Sequence, residues 1–329
     1  MKAIQIGRFG GPDVLELVEI DTPAPGPGQV LVRTQAIGVN FADTLMREDR
    51  YAITPPLPSV LGSEVGGVVE QLGEGVTGIA TGARVLAPMF AAGQMFGGYA
   101  DYVVIDAGWL VPVPDAISFE TAVTLTVQGL SALHLVRQAR PEGKTVLVNA
   151  AAGGVGSILI QLARHAGAKK IIAAASTKAK RDFCLSLGAD VAVDYTSDVW
   201  LDDLRAETGG AGPDIIYESA GGKITRDSLA VLAPLGQIVI YGALNIQDFA
   251  LGVPDLLALI FKNQSLTGFA VAPLLTPANI GEGLGELFDQ VVLGVLKVEI
   301  GGVFALDQAA HAHTALQSRG TIGKIILKP

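Results

Sequence analysis

Over the first 118 residues apolar and polar positions alternate with a period near two, in short runs at 1–6, 15–21, 29–37, 65–72, 83–87 and 99–104. Runs of that length and period predict strands. Between them lie TPAPGPGQ, TPPLPS and AAGQMFGG, which are rich in chain breakers. Many short strands joined by such turns predict a partly open β-barrel rather than a parallel sheet. One short helical turn is expected after Asn40, whose side chain is placed to cap FADTLMRED.

From 118 to 140 the period changes to about 3.6, with Val123, Leu125, Leu130, Leu133 and Val136 on the buried faces. Helix and strand patterns then alternate: VLVN, SILIQLARHAG, KIIAAA, TKAKRDFCLSLG, DVAVDY, DVWLDDLRAETG, DIIYES, KITRDSLAVLAPLG and QIVIYG. Strands separated by helix-length segments require right-handed crossovers, which predict an α/β fold with a doubly wound parallel sheet. Gly167, Gly188 and Gly236 are expected just past the last turns of three helices. PDLLALIFKN and QSLTGFAV add a last helix and an edge strand. From about residue 270 helix and short strands return and end in GKIILK, a tail expected to complete the first domain. The expected division is 1–122, completed by 270–329, with 123–269 as the second domain.

Length agrees with two domains, because 329 residues exceed the size at which single cores stop growing. Half of the residues are apolar, 17% are charged and 41 are glycine, a soluble globular composition. The formal net charge of −9 gives no support for a nucleic-acid surface. The longest apolar runs, such as LLALIF at 256–261, are far shorter than a membrane span. MKAIQI alternates and runs into Gly-Arg-Phe-Gly-Gly, unlike a signal peptide. A single cysteine, Cys184, rules out an internal disulfide framework and a cysteine-rich metal site, so the cytoplasm is the expected compartment.

The chemistry begins at 146–156, VLVNAAAGGVG, a strand running into a glycine turn and then a helix. Such a turn lets a pyrophosphate approach the backbone, and the amide donors and positive dipole end of the following helix stabilise its charge. Ala151, Gly153 and Gly156 fit the relaxed dinucleotide fingerprint, with Ala152, Gly153, Gly154 and Val155 lining the turn. An NAD site usually places a carboxylate after the second strand. IIAAASTKAKR has no acid there and offers Ser176, Thr177, Lys178, Lys180 and Arg181 instead. That favours NADPH. The alternative is that 178–181 form only the solvated first turn of a helix. Ser219, Ala220, Gly242 and Ala243 stand at the carboxyl ends of later strands, where ligands of open α/β sheets bind, or are plain turn residues.

Six segments carry a resemblance in family order: GVNFADTLMR at 38–47, PSVLGSEVGGVVEQLGEGV from Pro58, FGGYADYVV from Phe96, VLVNAAAGGVG, LGADVAVDY from Leu187 and the terminal GKIIL. The chain resembles the medium-chain dehydrogenase/reductase superfamily, and within it the zinc-free, zeta-crystallin-like quinone oxidoreductase branch. The resemblance implies a GroES-like barrel catalytic domain split around a Rossmann domain, an active site in the cleft between them, and dimers joined through the outer strand of the cofactor sheet. It also implies that Lys180, eight residues before Gly188, grips the 2′-phosphate, and that Tyr195 lies beside the adenosine end. Asn40 and Asp43 are implied at the nicotinamide as the catalytic pair, the alternative being that they only cap a short helix. Gln128, Arg319 and Lys324 are further cofactor candidates by similarity, although the last two also read as solvated charges. Leu45 departs from relatives in which a tyrosine is common.

No metal is expected. Catalytic zinc needs three protein ligands, and Gly62-Ser63-Glu64 replaces the Gly-His-Glu of the zinc enzymes, whose early cysteine is also missing. His134, His165, His311 and His313 fall on helical patterns, with the last two on different faces. Without a Lewis acid the substrate must already be electrophilic, as a quinone or an enone is. The expected activity is hydride transfer from NADPH to a quinone or similar conjugated carbonyl. An enone or enoyl-thioester double-bond reductase, and an NADPH-binding structural or regulatory protein, are the alternatives. The expected partners are a small-molecule substrate and a second copy of the chain, with no nucleic acid and no membrane.

Overall fold

The computed structural model describes residues 1–242 and 250–329, so Ala243, one of the expected cofactor residues, lies outside the described residues. Two compact units divide the chain: Met1–Leu130 with Ala272–Pro329, and Ser131–Val271.

In the first unit the strand Gln29–Val39 is the hub. It pairs antiparallel with Val65–Leu72, Tyr102–Asp106 and Lys324–Lys328. Lys324–Lys328 in turn pairs parallel with Ile300–Ala305. The end of the chain is thereby a central strand of a sheet that the first hundred residues begin. The order across that sheet is Ile300–Ala305, Lys324–Lys328, Gln29–Val39, Val65–Leu72, Arg84–Ala87 and Val111–Pro112. A second sheet has the order Glu16–Glu19, Lys2–Ile6, Ser59–Val60. Alternation along Gln29–Val39 sends Val30, Val32, Ile37 and Val39 into a core shared with Ile4, Val65, Tyr99, Ile325 and Leu327.

Two expectations shift here. The run 99–104 pairs as a strand only at Tyr102–Asp106, because Gly98 and Tyr99 donate their N–H groups to Gly62 and Leu61 instead. The segment 118–140 is not one continuous helix. Ser118 caps Phe119–Thr124, its hydroxyl accepting from the Thr121 N–H at 3.1 Å; a π turn follows at Leu125–Gly129, and an α-helix resumes at Leu130–Ala139. The division between units falls after Leu130, within this segment.

In the second unit all six strands are parallel, in the order Val191–Val193, Lys170–Ala174, Thr145–Val148, Ile215–Glu218, Gln237–Ile240, Ser265–Gly268. The chain starts at the centre, winds outward twice, then returns to the other side of Thr145–Val148. The reversal between Thr145–Val148 and Ile215–Glu218 is a switch point, and the crevice at the carboxyl ends there is where such sheets bind ligands. Leu147, Ile172, Ile216 and Ile238 from the sheet pack with Trp200, Leu204 and Leu229 from the helices. Gly167 and Gly188 take the left-handed conformation, at φ 80° and 103°. Gly236 does not: Gly222–Val231 ends before Pro234, which cannot continue a helix, and the left-handed residue is Leu235 at φ 62°.

Candidate functional site

The expected functional residues fall into one group in each unit. In the first unit they gather where the strand Gln29–Val39 runs into the helix Phe41–Arg47. Gly38 has no side chain for a reason: a Cβ there would overlap the Glu64 carboxylate, which crosses the strand at that point. Asn40 occupies the position before the helix, but its side chain makes no cap bond. Asp43 supplies the cap instead, its Oδ2 accepting from the Asn40 N–H at 2.8 Å. The Asn40 carboxamide is thereby available for longer-range partners.

Those partners fix which way the amide faces. An ammonium can only donate and a carboxylate only accept, so Lys324 Nζ donates to Asn40 Oδ1 at 2.7 Å and Asn40 Nδ2 donates to Glu64 Oε1 at 2.7 Å. Lys324 also bonds Glu64 Oε1 directly. Glu64 Oε2 accepts from the Val127 N–H at 2.9 Å. This donor lies within the π turn, whose following residue Leu130 reaches its N–H back to the Leu125 carbonyl, five residues away, and to that of Val127. Lys324 and Glu64 are both fully buried, while Asn40 is half-buried. Lys324 is therefore no solvated terminal charge, and the carboxamide between the two is the reachable member of the triad.

Asp43 is buried and lies at the end of a second series. Its Oδ2 also accepts from the Tyr99 hydroxyl at 3.0 Å. Tyr99 OH stands 3.0 Å from His313 Nε2, and Arg47 Nη1 stands 3.0 Å from His313 Nδ1. Arg47 further donates to the Gly10 carbonyl, Glu48 and Gln317 at 2.9, 2.5 and 3.0 Å. Burial pushes the Asp43 carboxyl up to about 6, against the Asn40 N–H bond, the Lys324 charge and the Tyr99 bond that pull it down. Burial, reinforced by the Arg47 charge, takes His313 down to about 3, so its ring is neutral at pH 7.

In the second unit the glycine turn leads into the helix Gly154–His165. A Cβ on Gly156 would press on the Ala150 and Ala151 backbone at 2.7–2.8 Å, so only glycine permits this approach of helix to strand. Ala150 is left-handed at φ 49°, turning the chain from Asn149 into the loop. First-turn N–H groups of a helix have no intrahelical acceptor, so those of 154–156 are donors presented to an anion beside Ala152 and Gly153. Past the strand Lys170–Ala174, Ser176 and Thr177 lead into the helix Lys178–Ser186, with Thr177 accepting from the Lys180 N–H at 3.3 Å. Lys178 pairs with Asp182 at 2.6 Å and Arg181 with Asp194 at 2.6 Å. Lys180 is half-buried in the first turn. The donor set fits a dinucleotide with a 2′-phosphate.

At the strand ends, Ser219 and Gly242 approach so closely that a Cβ on Gly242 would lie 2.9 Å from that of Ser219, and Ala220 is buried beside them. Tyr195 packs against the apolar core of this unit. Gln128 sits in the π turn, its buried Oε1 without a hydrogen-bond partner among the described residues. Arg319 is exposed, with a left-handed backbone at φ 55° just past the helix Ala309–Gln317. His311 on that helix is exposed and His313 fully buried, on different faces as expected. Among the described residues no three His, Cys, Asp or Glu group as metal ligands would.

Sequence reasoning passed over Glu64 except as part of a missing zinc motif, and did not single out Arg47, Tyr99, Asn149 or Glu218. Glu218 is buried below the Ser219 turn, accepting from the Gly221 N–H at 2.7 Å, from Thr225 at 2.9 Å and from Asn149. Its desolvation raises its pKa. The available signal was a lone acid at the end of an apolar strand, in SEVGG and IIYES.

Comparison with known proteins places the chain in a family. The family model described as Alcohol dehydrogenase GroES-like domain matches residues 26–115, and that described as Zinc-binding dehydrogenase matches 154–284. A quinone oxidoreductase of Pseudomonas aeruginosa is 36% identical over 100% of this chain and 99% of its own. A 2-haloacrylate reductase of a Burkholderia species is 35% identical over 99% and 98%. The structure of Escherichia coli quinone oxidoreductase complexed with NADPH covers 100% of both chains at 32% identity, with a TM-score of 0.92.

Removing one partner of a buried ion pair leaves an uncompensated charge, which costs about 3–5 kcal/mol. Lys324→Met is accordingly expected to lower stability by roughly that amount in denaturant unfolding, and Glu64→Gln on the same background to recover most of it. A loss under about 1 kcal/mol, the range of an exposed pair, would show that Glu64 reaches water.

Proposed function

The chain belongs to the zeta-crystallin-like quinone oxidoreductase branch of the medium-chain dehydrogenase/reductase superfamily, and from that premise we propose that it is an NADPH-dependent reductase of quinones or similar conjugated carbonyls. One observation carries the coenzyme assignment. The end of the strand Lys170–Ala174 offers Ser176, Thr177 and Lys180 with no acid from 171 to 181, a set of donors suited to a 2′-phosphate and poorly suited to free ribose hydroxyls. The helix Gly154–His165 would hold the pyrophosphate at its N-terminus, with Ala220 and Gly242 giving close packing at the strand ends. Gln128, Tyr195 and Arg319 join this assignment by family resemblance.

Bound NADPH supplies a hydride from C4. Addition of that hydride to a quinone leaves negative charge on the acceptor oxygen, and the chain stabilises it at Asn40. One Nδ2 proton of Asn40 is held by Glu64, while Lys324 polarises the carboxamide through Oδ1. The second Nδ2 proton is then a strengthened, pre-oriented donor for the acceptor oxygen. Asp43 acts by holding the Asn40 backbone rather than by touching the substrate, since its carboxylate is buried. Solvent completes the protonation. The same donor serves a carbon–carbon double bond conjugated to a carbonyl, a second reading supported by the likeness to 2-haloacrylate reductase.

Self-association and a cytoplasmic location are part of this proposal. The helix Val253–Lys262 has no buried residue and exposes Val253, Leu256, Ile260 and Phe261, next to the edge strand Ser265–Gly268. An apolar helix face beside an open strand edge is a surface that needs a partner, and a second copy related by a two-fold axis extends the sheet. No helix among the described residues is long and apolar enough to cross a membrane, and the single thiol, Cys184, is buried.

Three measurements test these statements. NADPH consumption against a panel of quinones, enones and enoyl thioesters is expected to be fastest with quinones, and Lys180→Ala to weaken NADPH binding about 10-fold or more while NADH affinity stays nearly constant. Unchanged NADPH affinity would sink the coenzyme assignment; silence across the panel despite tight NADPH binding would favour a structural or regulatory role. Sedimentation should find a dimer that Phe261→Asp converts to monomer, and a monomeric wild type at micromolar concentration would refute the interface.

A further inference from the structure

The series from Arg47 to Asp43 has a direction that its end groups impose. A guanidinium only donates, so Arg47 Nη1 donates to His313 Nδ1 and that nitrogen is an acceptor. The neutral ring then carries its proton on Nε2 and donates it to the Tyr99 oxygen. The Tyr99 hydroxyl, supplied with a donor, gives its own proton to Asp43 Oδ2. Every bond points the same way, and the last acceptor is the carboxylate that also receives the Asn40 N–H. Tyr99 and His313 meet edge to face, with ring centroids 5.7 Å apart and planes at 89°, a packing that holds both rings in register. Both side chains are fully buried, and the members come from positions 43, 47, 99 and 313 of one unit.

This arrangement cannot be a route for protons from solvent, because it ends on Arg47, a group that does not release one. It orients instead. We propose that Tyr99 and His313 are positioning residues for the reductase, holding Asp43 as a carboxylate that grips the Asn40 turn, so that uptake of a proton by Asp43 loosens the turn and slows reduction. The proposal rests on the role given to Asn40 above.

The groups that face Asp43 decide where that proton binds. The Asn40 N–H, the Lys324 charge and the Tyr99 hydroxyl favour the carboxylate, whereas burial and Glu64 oppose it. Tyr51 feels the Asp43 charge as well, which together with burial raises its own phenol. Arg47 acts on Asp43 through His313 and Tyr99. With the Asp43 carboxyl at about 6, the gripping form prevails above that pH and is lost as pH falls through it. Removing one donor to a carboxylate raises its pKa, so loss of the Tyr99 hydroxyl must move the transition to higher pH.

The test uses the full-length protein, NADPH and a small benzoquinone. Wild-type kcat is expected to fall on the acid side with a midpoint near 6, and Tyr99→Phe to move that midpoint upward by about half a unit or more. His313→Leu, which deprives Tyr99 of its donor, is expected to shift it the same way. His313→Gln, which can accept from Arg47 and donate to Tyr99, is expected to restore it. Asp43→Asn, which cannot titrate, should abolish the limb. In parallel, the Asp43 carboxyl carbon is titrated by NMR in labelled wild type and Tyr99→Phe. This readout needs no turnover, so an enzyme inactive on every acceptor would overturn the proposed function while the titration still decides the positioning claim. An Asp43 titration that is the same in wild type and in a folded Tyr99→Phe, or a shifted titration with an unmoved kcat limb, overturns the proposal. If Tyr99→Phe does not fold, the same comparison between His313→Leu and His313→Gln decides it.

Discussion

The ion pair between Lys324 and Glu64 is the constraint on which the first unit depends. Neither group reaches water, and a buried pair of this kind holds only when its remaining protons and lone pairs are also satisfied. The surrounding structure supplies those bonds: Asn40 accepts from the ammonium and donates one amide proton, and Val127 in the π turn adds an N–H. Gly38 clears the space the carboxylate crosses. The site geometry is thus what electrostatic neutrality requires of that corner of the sheet, and the orientation of the Asn40 amide follows without freedom to flip.

The second unit is organised differently, around backbone: a glycine turn leads from its central strand into the helix Gly154–His165. Its glycine turn and helix dipole are generic to dinucleotide sites. A strand away, Lys178 and Arg181 are each paired with a neighbouring acid. A run that reads as uniformly basic in sequence is therefore partly neutralised within the unit. Below the strand ends, Glu218 with Asn149, Thr225 and the Gly221 N–H ties together the turns that follow two neighbouring strands.

Periodicity made most of the architecture legible. Alternation located the strands of the first unit, and the helix-length spacing of apolar strands announced a parallel sheet, because both signals are local. Local signals also misled where a neighbour intervened. Gly236 looked like a helix terminator, but Pro234 stops the helix first and Leu235 makes the turn. The 118–140 pattern concealed a π turn, since one extra residue in a turn leaves apolar spacing nearly intact. Asn40 was placed correctly in the chain and misread in its bonds: its side chain turns to partners 24 and 284 residues away, and Asp43 does the capping. Tyr99 and His313, 214 residues apart, carry no signal of each other at all. Pairings of that range exist only once the sheet has closed.

The position of Lys324 also bears on the order in which the molecule can be built. The second unit is one continuous stretch, Ser131–Val271, complete in itself well before the chain ends. The first unit lacks its strand Lys324–Lys328 until well after the second unit is made. During synthesis, N-terminal segments emerge first and domains fold as units, so Glu64 must wait some 260 residues of elongation for its counter-ion. Until then a buried carboxylate there would be unneutralised, which disfavours early closure of the sheet around it. A chain released between Val271 and Lys324 would therefore carry a finished second unit and an unfinished barrel, so that Asn40 gains its Lys324 partner only after both units have been made.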